Sequence, residues 1–469
     1  MNAGRATPTI AVGGRRMAMW GAVLALEAAA AGLLVYNPLL GVAAAAAGLV
    51  AVLLLIDWRR AALVVVAVVP LEAYFIPVGS LRLKLYQVVV SAAFVGLLAD
   101  MARVRTGLRL PLLIPVAAFV ALSALSITFS ILPGETIRIV ALQIILVGVY
   151  VVVTAACSRE DQLQKAMLTL AIAGAVVATF GMYQLFAYHL GLPTGITRGL
   201  GEGRPWSFLT RYGRPSGTFF EPDWLGAFAM QAALLAIPMA IHGSPRYRRV
   251  AYLSGTLAIA GLLVSGARAA WLGFAIGAAS LLLFRSARRM RLLGFAAIAA
   301  FLAVGLLAVM AAVYPEYATL IHERLTNMFD TRSSGIAGRV NTLAVIVQQI
   351  HVHPLRGSGT GILDALVAGR QQTFAGRLGP NLFLTTWMET GVAGVVFLFW
   401  LFGLTLWRVG RAARRSDTLG ALAQGLFAGV IALVVQSQFN NSFLLGFFWV
   451  QLGLCAAAVV IHERGGGTL

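Results

Sequence analysis

Apolar runs long enough to cross a hydrocarbon core, which takes about 20 residues, recur from Met17 almost to the C-terminus with no long polar module between them. Of the 469 residues, 59% are hydrophobic and 11% charged, more apolar than a soluble surface of mixed polarity allows. Lipid must therefore cover much of the chain. We read 1–469 as a single all-α membrane domain, a polytopic transmembrane helix bundle of about 12–14 spans. The runs begin near Met17, Leu40, Ala61, Tyr86, Pro111, Arg138, Gln164, Trp224, Ala251, Ala270, Leu292, Asn381, Leu419 and Ser442. Arg5, Arg15 and Arg16 precede the first run as they would in a signal peptide. No small-residue cleavage site follows and further spans come next, so the segment is expected to be a retained helix. Cys157 and Cys455 are too few and too scattered for a disulfide framework or a metal site.

The net charge of +19 does not point to nucleic acid, because the basic residues cluster at the ends of apolar runs. With the N-terminus placed in the cytoplasm, every second connection should carry Lys and Arg. Those connections hold Arg59 and Arg60; Arg103, Arg105 and Arg109; Arg159 and Lys165; and Arg246, Arg248 and Arg249. Next come Arg285, Arg288, Arg289 and Arg291, and finally Arg408, Arg411, Arg414 and Arg415. A miscounted span would break this alternation, whereas an error of two paired helices would escape it. Both termini are then expected to be cytoplasmic.

The opposite face receives two long connections, 189–222 and 313–380, and these contradict the charge rule. The first holds Arg198, Arg204, Arg211 and Arg214, and the second holds Arg324, Arg332, Arg339, Arg356, Arg370 and Arg377. Long loops translocate regardless of charge, which covers most of these residues but not Arg268, set in a tight external turn at Ser265–Ala269. Guanidinium groups suit phosphate oxygens, and several together suit a diphosphate. The same loops contain no Asp-x-Asp, H-E-x-x-H or G-x-S-x-G pattern. His351 and His353 alternate without a nearby carboxylate or Cys, so no metal and no cofactor is expected.

Glu221-Pro222-Asp223-Trp224 lies where the first long loop returns to the membrane. An acidic residue before Pro is an ordinary helix N-terminus. Glu221 or Asp223 at the rim of an arginine-lined cavity is equally a candidate base for a sugar hydroxyl, and both readings can hold together. Within the spans, Glu27 and Glu72 are read as the ionisable residues deep in apolar runs, and such carboxylates are functional candidates. Glu72 sits beside Pro70 near the external end of its run and is a candidate to line the same cavity.

Four segments together resemble the O-antigen polymerase and ligase superfamily. Phe220-Glu221-Pro222-Asp223-Trp224-Leu225-Gly226 is similar to an E-P-x-x-x-G helix start after the first external loop. Ser265-Gly266-Ala267-Arg268-Ala269-Ala270-Trp271 is similar to an S-R-x-x-W turn with two residues inserted. Gly338-Arg339 and His353-Pro354-Leu355-Arg356-Gly357-Ser358-Gly359 resemble the G-R and H-P-L-x-G-x-G segments of the second loop. Asn381, with Gly391 and Gly394 downstream, is similar to the ligase pattern H-N-x9-G-x-x-G.

The resemblance implies a metal-independent, inverting glycosyltransferase with a GT-C-like fold. It would act on undecaprenyl-diphosphate-linked glycan at the periplasmic face of a bacterial inner membrane. Donor, acceptor and bilayer are its implied partners, with a chain-length regulator and a flippase beside it. By the same resemblance Arg268 matches a diphosphate-binding arginine, Arg211, Arg214 and Arg339 are candidates for others, and His353 and Asn381 are further site candidates. Pro380 stands where the ligase pattern has its histidine, and Pro offers no side-chain proton acceptor. A polymerase of lipid-linked repeat units is therefore the leading reading and a ligase the alternative. A lipid-linked oligosaccharide flippase is the alternative of another class, disfavoured by the lack of an internal repeat and the sparse intramembrane charge.

Overall fold

The computed structural model describes residues 57–73, 75–78, 81–104, 107–192, 194, 213–243, 245–284, 334–367 and 379–465, with single positions 305, 308, 319, 322 and 326. The runs near Met17, Leu40 and Leu292, together with Glu27, lie outside the described residues. The expected all-α bundle is what the chain forms. In order, its helices are α1 (Trp58–Val68), α2 (Leu85–Val104), α3 (Leu113–Leu125), α4 (Pro133–Ala156), α5 (Glu160–His189), α6 (Pro222–His242), α7 (Pro245–Val264) and α8 (Arg268–Ser280). They continue as α9 (Ser334–Val352), α10 (Leu363–Val367), α11 (Leu382–Ala413), α12 (Thr418–Gln436) and α13 (Gly446–Gly465). Among the described residues, α2, α4, α5, α6, α11, α12 and α13 are long and apolar enough to cross a membrane, and α3 and α8 are shorter apolar helices.

Three features depart from the expected pattern. The run near Ala61 makes an 11-residue helix, α1, capped by the Asp57 side chain, and at about 1.5 Å per residue it covers about half of a hydrocarbon core. An antiparallel hairpin follows, β1 (Phe75–Val78) with β2 (Leu81–Lys84), in which Phe75 pairs with Lys84 and Val78 with Leu81. The second long connection, read as a loop, contains the helices α9 and α10.

The centre of the bundle is α6, buried at every position from Pro222 to Ile241 except Asp223 and packed against α5, α7, α8 and α12. Small residues permit this. A Cβ on Gly174 of α5 would collide with Ala232, and one on Gly261 of α7 would collide with Ala178. In lipid, close backbone approach and buried hydrogen bonds hold helices together in place of the hydrophobic effect. Gln231 of α6 supplies such bonds, donating to the Phe447 carbonyl at 3.2 Å and to Gln451 Oε1 at 2.9 Å.

The two ends of the bundle differ chemically. One end is basic: Arg408 donates to the Pro111 carbonyl at 2.9 Å, Arg415 pairs with Asp417 at 2.7 Å, and Arg464 reaches the Ser158 carbonyl at 3.4 Å. At the other end α6 begins, α7 turns into α8, and α12 turns toward α13. There α11 is broken at Gly391, whose φ of +70° suits glycine and whose close approach to the Leu355 carbonyl excludes a Cβ. Residues 382–390 are thus a separate helical stretch at the site end, with the Leu382 N–H donating to the Ser437 carbonyl at 2.9 Å. Residues 392–413 alone are about 33 Å long, enough for the span. The stretch 382–390 joins α9 and α10 around a second, small apolar core of Ile346, Ile362, Leu363, Val367 and Met388.

Candidate functional site

The returning end of the first long connection is held from two sides. The Gly217 N–H donates to Gln184 Oε1 at 2.8 Å, and Gln184 Nε2 donates to the Gly217 carbonyl at 3.0 Å. The Thr218 hydroxyl donates to the Pro70 carbonyl at 2.7 Å, while the Thr218 carbonyl accepts from the Ala73 N–H at 3.0 Å. The chain then enters α6 with Pro222 in the first turn and Glu221, 1% exposed, at the N-cap position. The Glu221 carbonyl accepts from the Trp224 and Leu225 N–H groups at 3.1 and 3.3 Å. One turn further, Gly226 lets α6 touch the α7–α8 turn: a Cβ there would stand 2.7 Å from Ser265 Oγ. The E-P-D-W-L-G sequence therefore brings the first loop and the Arg268 turn into contact.

At that contact the arginines converge. Arg214, 5% exposed, donates through Nε to the Ser265 carbonyl at 2.9 Å and through Nη2 to Asp223 Oδ1 at 2.7 Å. Arg339, carried by α9, donates to Asp223 Oδ2 at 3.2 Å. Half-buried Arg268, the first residue of α8, lies in the field of Arg339, Asp223 and Arg214. Three guanidinium charges from three stretches of chain thus surround one carboxylate, a surplus of positive charge suited to a phosphate-bearing anion. Both oxygens of Asp223 are engaged by arginines, which makes it a bridge more than a free proton acceptor.

The other expected site residues fall elsewhere. Arg211 lies outside the described residues. Glu72 is fully buried, paired with Lys84 from the hairpin, and accepts from the Gly446 N–H at 3.3 Å. Its partner came from strands that a helical reading did not expect. Asn381 caps α11, accepting from the Leu384 N–H at 2.9 Å and donating to the Gln438 carbonyl at 3.2 Å. Half-buried His353 directly follows α9, its N–H donating to the Gln349 carbonyl at 3.1 Å, and His351 contacts the Val347 carbonyl at 2.8 Å. Glu389 was missed: it lies in the run beginning at Asn381, where an ionisable residue inside an apolar stretch was itself the available signal. Beside Thr218 an apolar groove of about 500 Å³ opens between Pro70, Leu71, Ile172, Val176 and Phe180.

Residues 253–399 match a family model described as O-Antigen ligase. A search of the curated proteins finds no match to the chain. The matched stretch carries Arg268, Arg339, the 353–361 loop, Asn381 and Gly391, while Arg214, Glu221 and Asp223 precede it. The match agrees with the superfamily resemblance and supports an O-antigen ligase- or polymerase-type membrane enzyme. It does not separate the two.

Proposed function

We propose that this chain is an inverting glycosyltransferase that elongates polyprenyl-diphosphate-linked glycan on the non-cytoplasmic face of a bacterial inner membrane. The observation that carries the reading is the gathering of Arg214, Arg268 and Arg339 around Asp223, at the end of the bundle opposite the basic one. The positive-inside rule puts that basic end in the cytoplasm. Arg268 and Arg339 hold the donor diphosphate. Arg214, fixed on Asp223 and the Ser265 carbonyl, sets the α7–α8 turn. The apolar groove beside Thr218 suits the first isoprene units of the lipid.

In the reaction a sugar hydroxyl of the acceptor attacks the anomeric carbon of the donor. The new C–O bond forms as the bond from that carbon to the phosphate oxygen breaks, and the hydroxyl proton passes to Glu221. The lipid diphosphate departs with its added negative charge against the guanidinium groups, a preorganised electrostatic stabilisation of the kind whose loss costs about 10²–10³ in rate.

Pro380 in place of the ligase histidine favours polymerase over ligase. Purified protein given only lipid-diphosphate repeat units should yield longer lipid-linked chains. No product until a separate acceptor is added would mean a ligase, and no product with either would sink the enzyme reading. Arg268→Ala should abolish elongation while the protein remains in the membrane.

A further inference from the structure

Glu389 stands in the last turn before the break in α11, where carbonyls lack intrahelical partners and a carboxylate is electrostatically disfavoured. The segment that follows α9 takes up two of those carbonyls: the Ser358 N–H donates to Met388 O at 2.8 Å and the Gly359 N–H to Glu389 O at 2.9 Å. The Glu389 carboxylate reaches further along the same segment and accepts from the Gly361 N–H at 2.9 Å. From the other side the α3–α4 corner grips it, with the Thr360 N–H donating to Ser126 Oγ at 3.1 Å and the Ile131 N–H to the Ser358 carbonyl at 3.3 Å. Such a glycine-rich run has much conformational freedom to lose, so its bonds decide whether it stays in place. Ile346 of α9 packs with Ile362 and Met388, which couples the segment to the helix. At the far end of that helix Arg339 meets Asp223.

We propose that Glu389 is a positioning residue. Its carboxylate fastens the Gly357–Gly361 segment to the broken helix and so holds α9 with Arg339 at Asp223. The inference rests on the reading of Arg339 as a diphosphate ligand and adds the group that keeps it aligned. What is needed from residue 389 is an acceptor oxygen at glutamate reach, so glutamine should substitute and alanine should not.

The test uses the full chain with nitroxide labels at Val347 of α9 and Leu253 of α7, which are 41% and 63% exposed. Glu389→Ala should broaden the label-to-label distance distribution and lower donor kcat/KM on the order of tenfold, the scale of one lost hydrogen bond to a charged group. Most of that loss should fall on KM. Glu389→Gln should restore both the narrow distribution and the rate. A narrow distribution in Glu389→Ala overturns the proposal, as does a glutamine variant no better than alanine. Where Glu389→Ala is not recovered from the membrane, Glu389→Asp carries the test: it is one methylene short, so the distribution should broaden, and a narrow one refutes the proposal. The distance readout needs no substrate. Wild-type protein that elongates nothing would therefore count against the glycosyltransferase reading, not against the positioning role.

Discussion

Removing the carboxylate of Asp223 should be more damaging than removing any one arginine that it holds. Its oxygens lie 2.7 Å from Arg214 and 3.2 Å from Arg339, and the Arg214 and Asp223 side chains are 6% and 16% exposed. Two unit charges about 4 Å apart attract by about 4 kcal/mol at an effective dielectric constant of about 20, offset in the intact pair by the desolvation of both groups. In Asp223→Ala the offset remains and the attraction does not. Arg214 is left buried against the Ser265 carbonyl, and a loss of about 3–5 kcal/mol is the usual result of orphaning a buried charge. Arg339, at 36% exposed, can turn to solvent and adds about 0–1 kcal/mol.

The assay is thermal and denaturant unfolding of the purified protein alongside its elongation rate. The double variant Asp223→Ala with Arg214→Met removes both charges and fills the space, so it should be more stable than Asp223→Ala alone. Activity should fall about 10²–10³ in both variants, since neither orients the arginines. Asp223→Asn should slow elongation without changing the shape of the pH profile, because the proton goes elsewhere. Losses in the double variant that simply add would show that the two groups are not coupled. Wild-type stability in Asp223→Ala would refute the bridge altogether.

Arg268→Lys keeps the charge but not the fork of donors, so donor kcat/KM measured on lipid-diphosphate repeat units should fall about tenfold or more; wild-type kinetics would remove the bidentate contact. Gly226→Val places a side chain where a Cβ already stands 2.7 Å from Ser265 Oγ. It should cost about 1–3 kcal/mol by overpacking, and an unchanged melting point would show that α6 and the turn are not pressed together. Asn381→Ala should lose an N-cap worth about 0.5–2 kcal/mol while the folded molecules elongate at the wild-type rate. A stable but inactive protein would instead make Asn381 part of the chemistry.

The bundle was legible because burial in lipid demands long apolar runs, and α2, α4, α5, α6, α11, α12 and α13 lie where such runs were seen. The pairing of β1 with β2 was not legible, since four-residue strands leave no mark in a window tuned to spans. With it went the partner of Glu72, because Lys84 is brought back by the hairpin. Arg268 stood out by violating a rule: a cation in a short turn on the side that should be poor in cations. Arg214 and Arg339 were marked by charge type alone. That both would bond to Asp223 depends on Gly226 admitting the turn and on α9 folding over it, and these are tertiary contacts that no local spacing states. The break at Gly391 is of the same kind, set by the Leu355 carbonyl pressing on a residue that otherwise continues an apolar helix.

That break also bears on the source of the base. Gly379-Pro380-Asn381, where a ligase histidine would fall, is tied down as structure: the Gly379 carbonyl accepts from the Asn441 N–H at 3.1 Å, and Asn381 is spent as a cap and as a donor to Gln438. Pro380 has no group to take a proton. Among the carboxylates expected at the arginines, Asp223 has both oxygens in ion pairs, and a proton arriving there would have to displace a guanidinium. Glu221, buried two residues earlier on the other side of Pro222, is the carboxylate that the proposed reaction uses as its base. A Glu221→Gln variant should therefore lose elongation yet keep the stability of the wild type, whereas Asp223→Ala should lose both. If both variants lost stability and activity together, the division of labour between the two acids would fail.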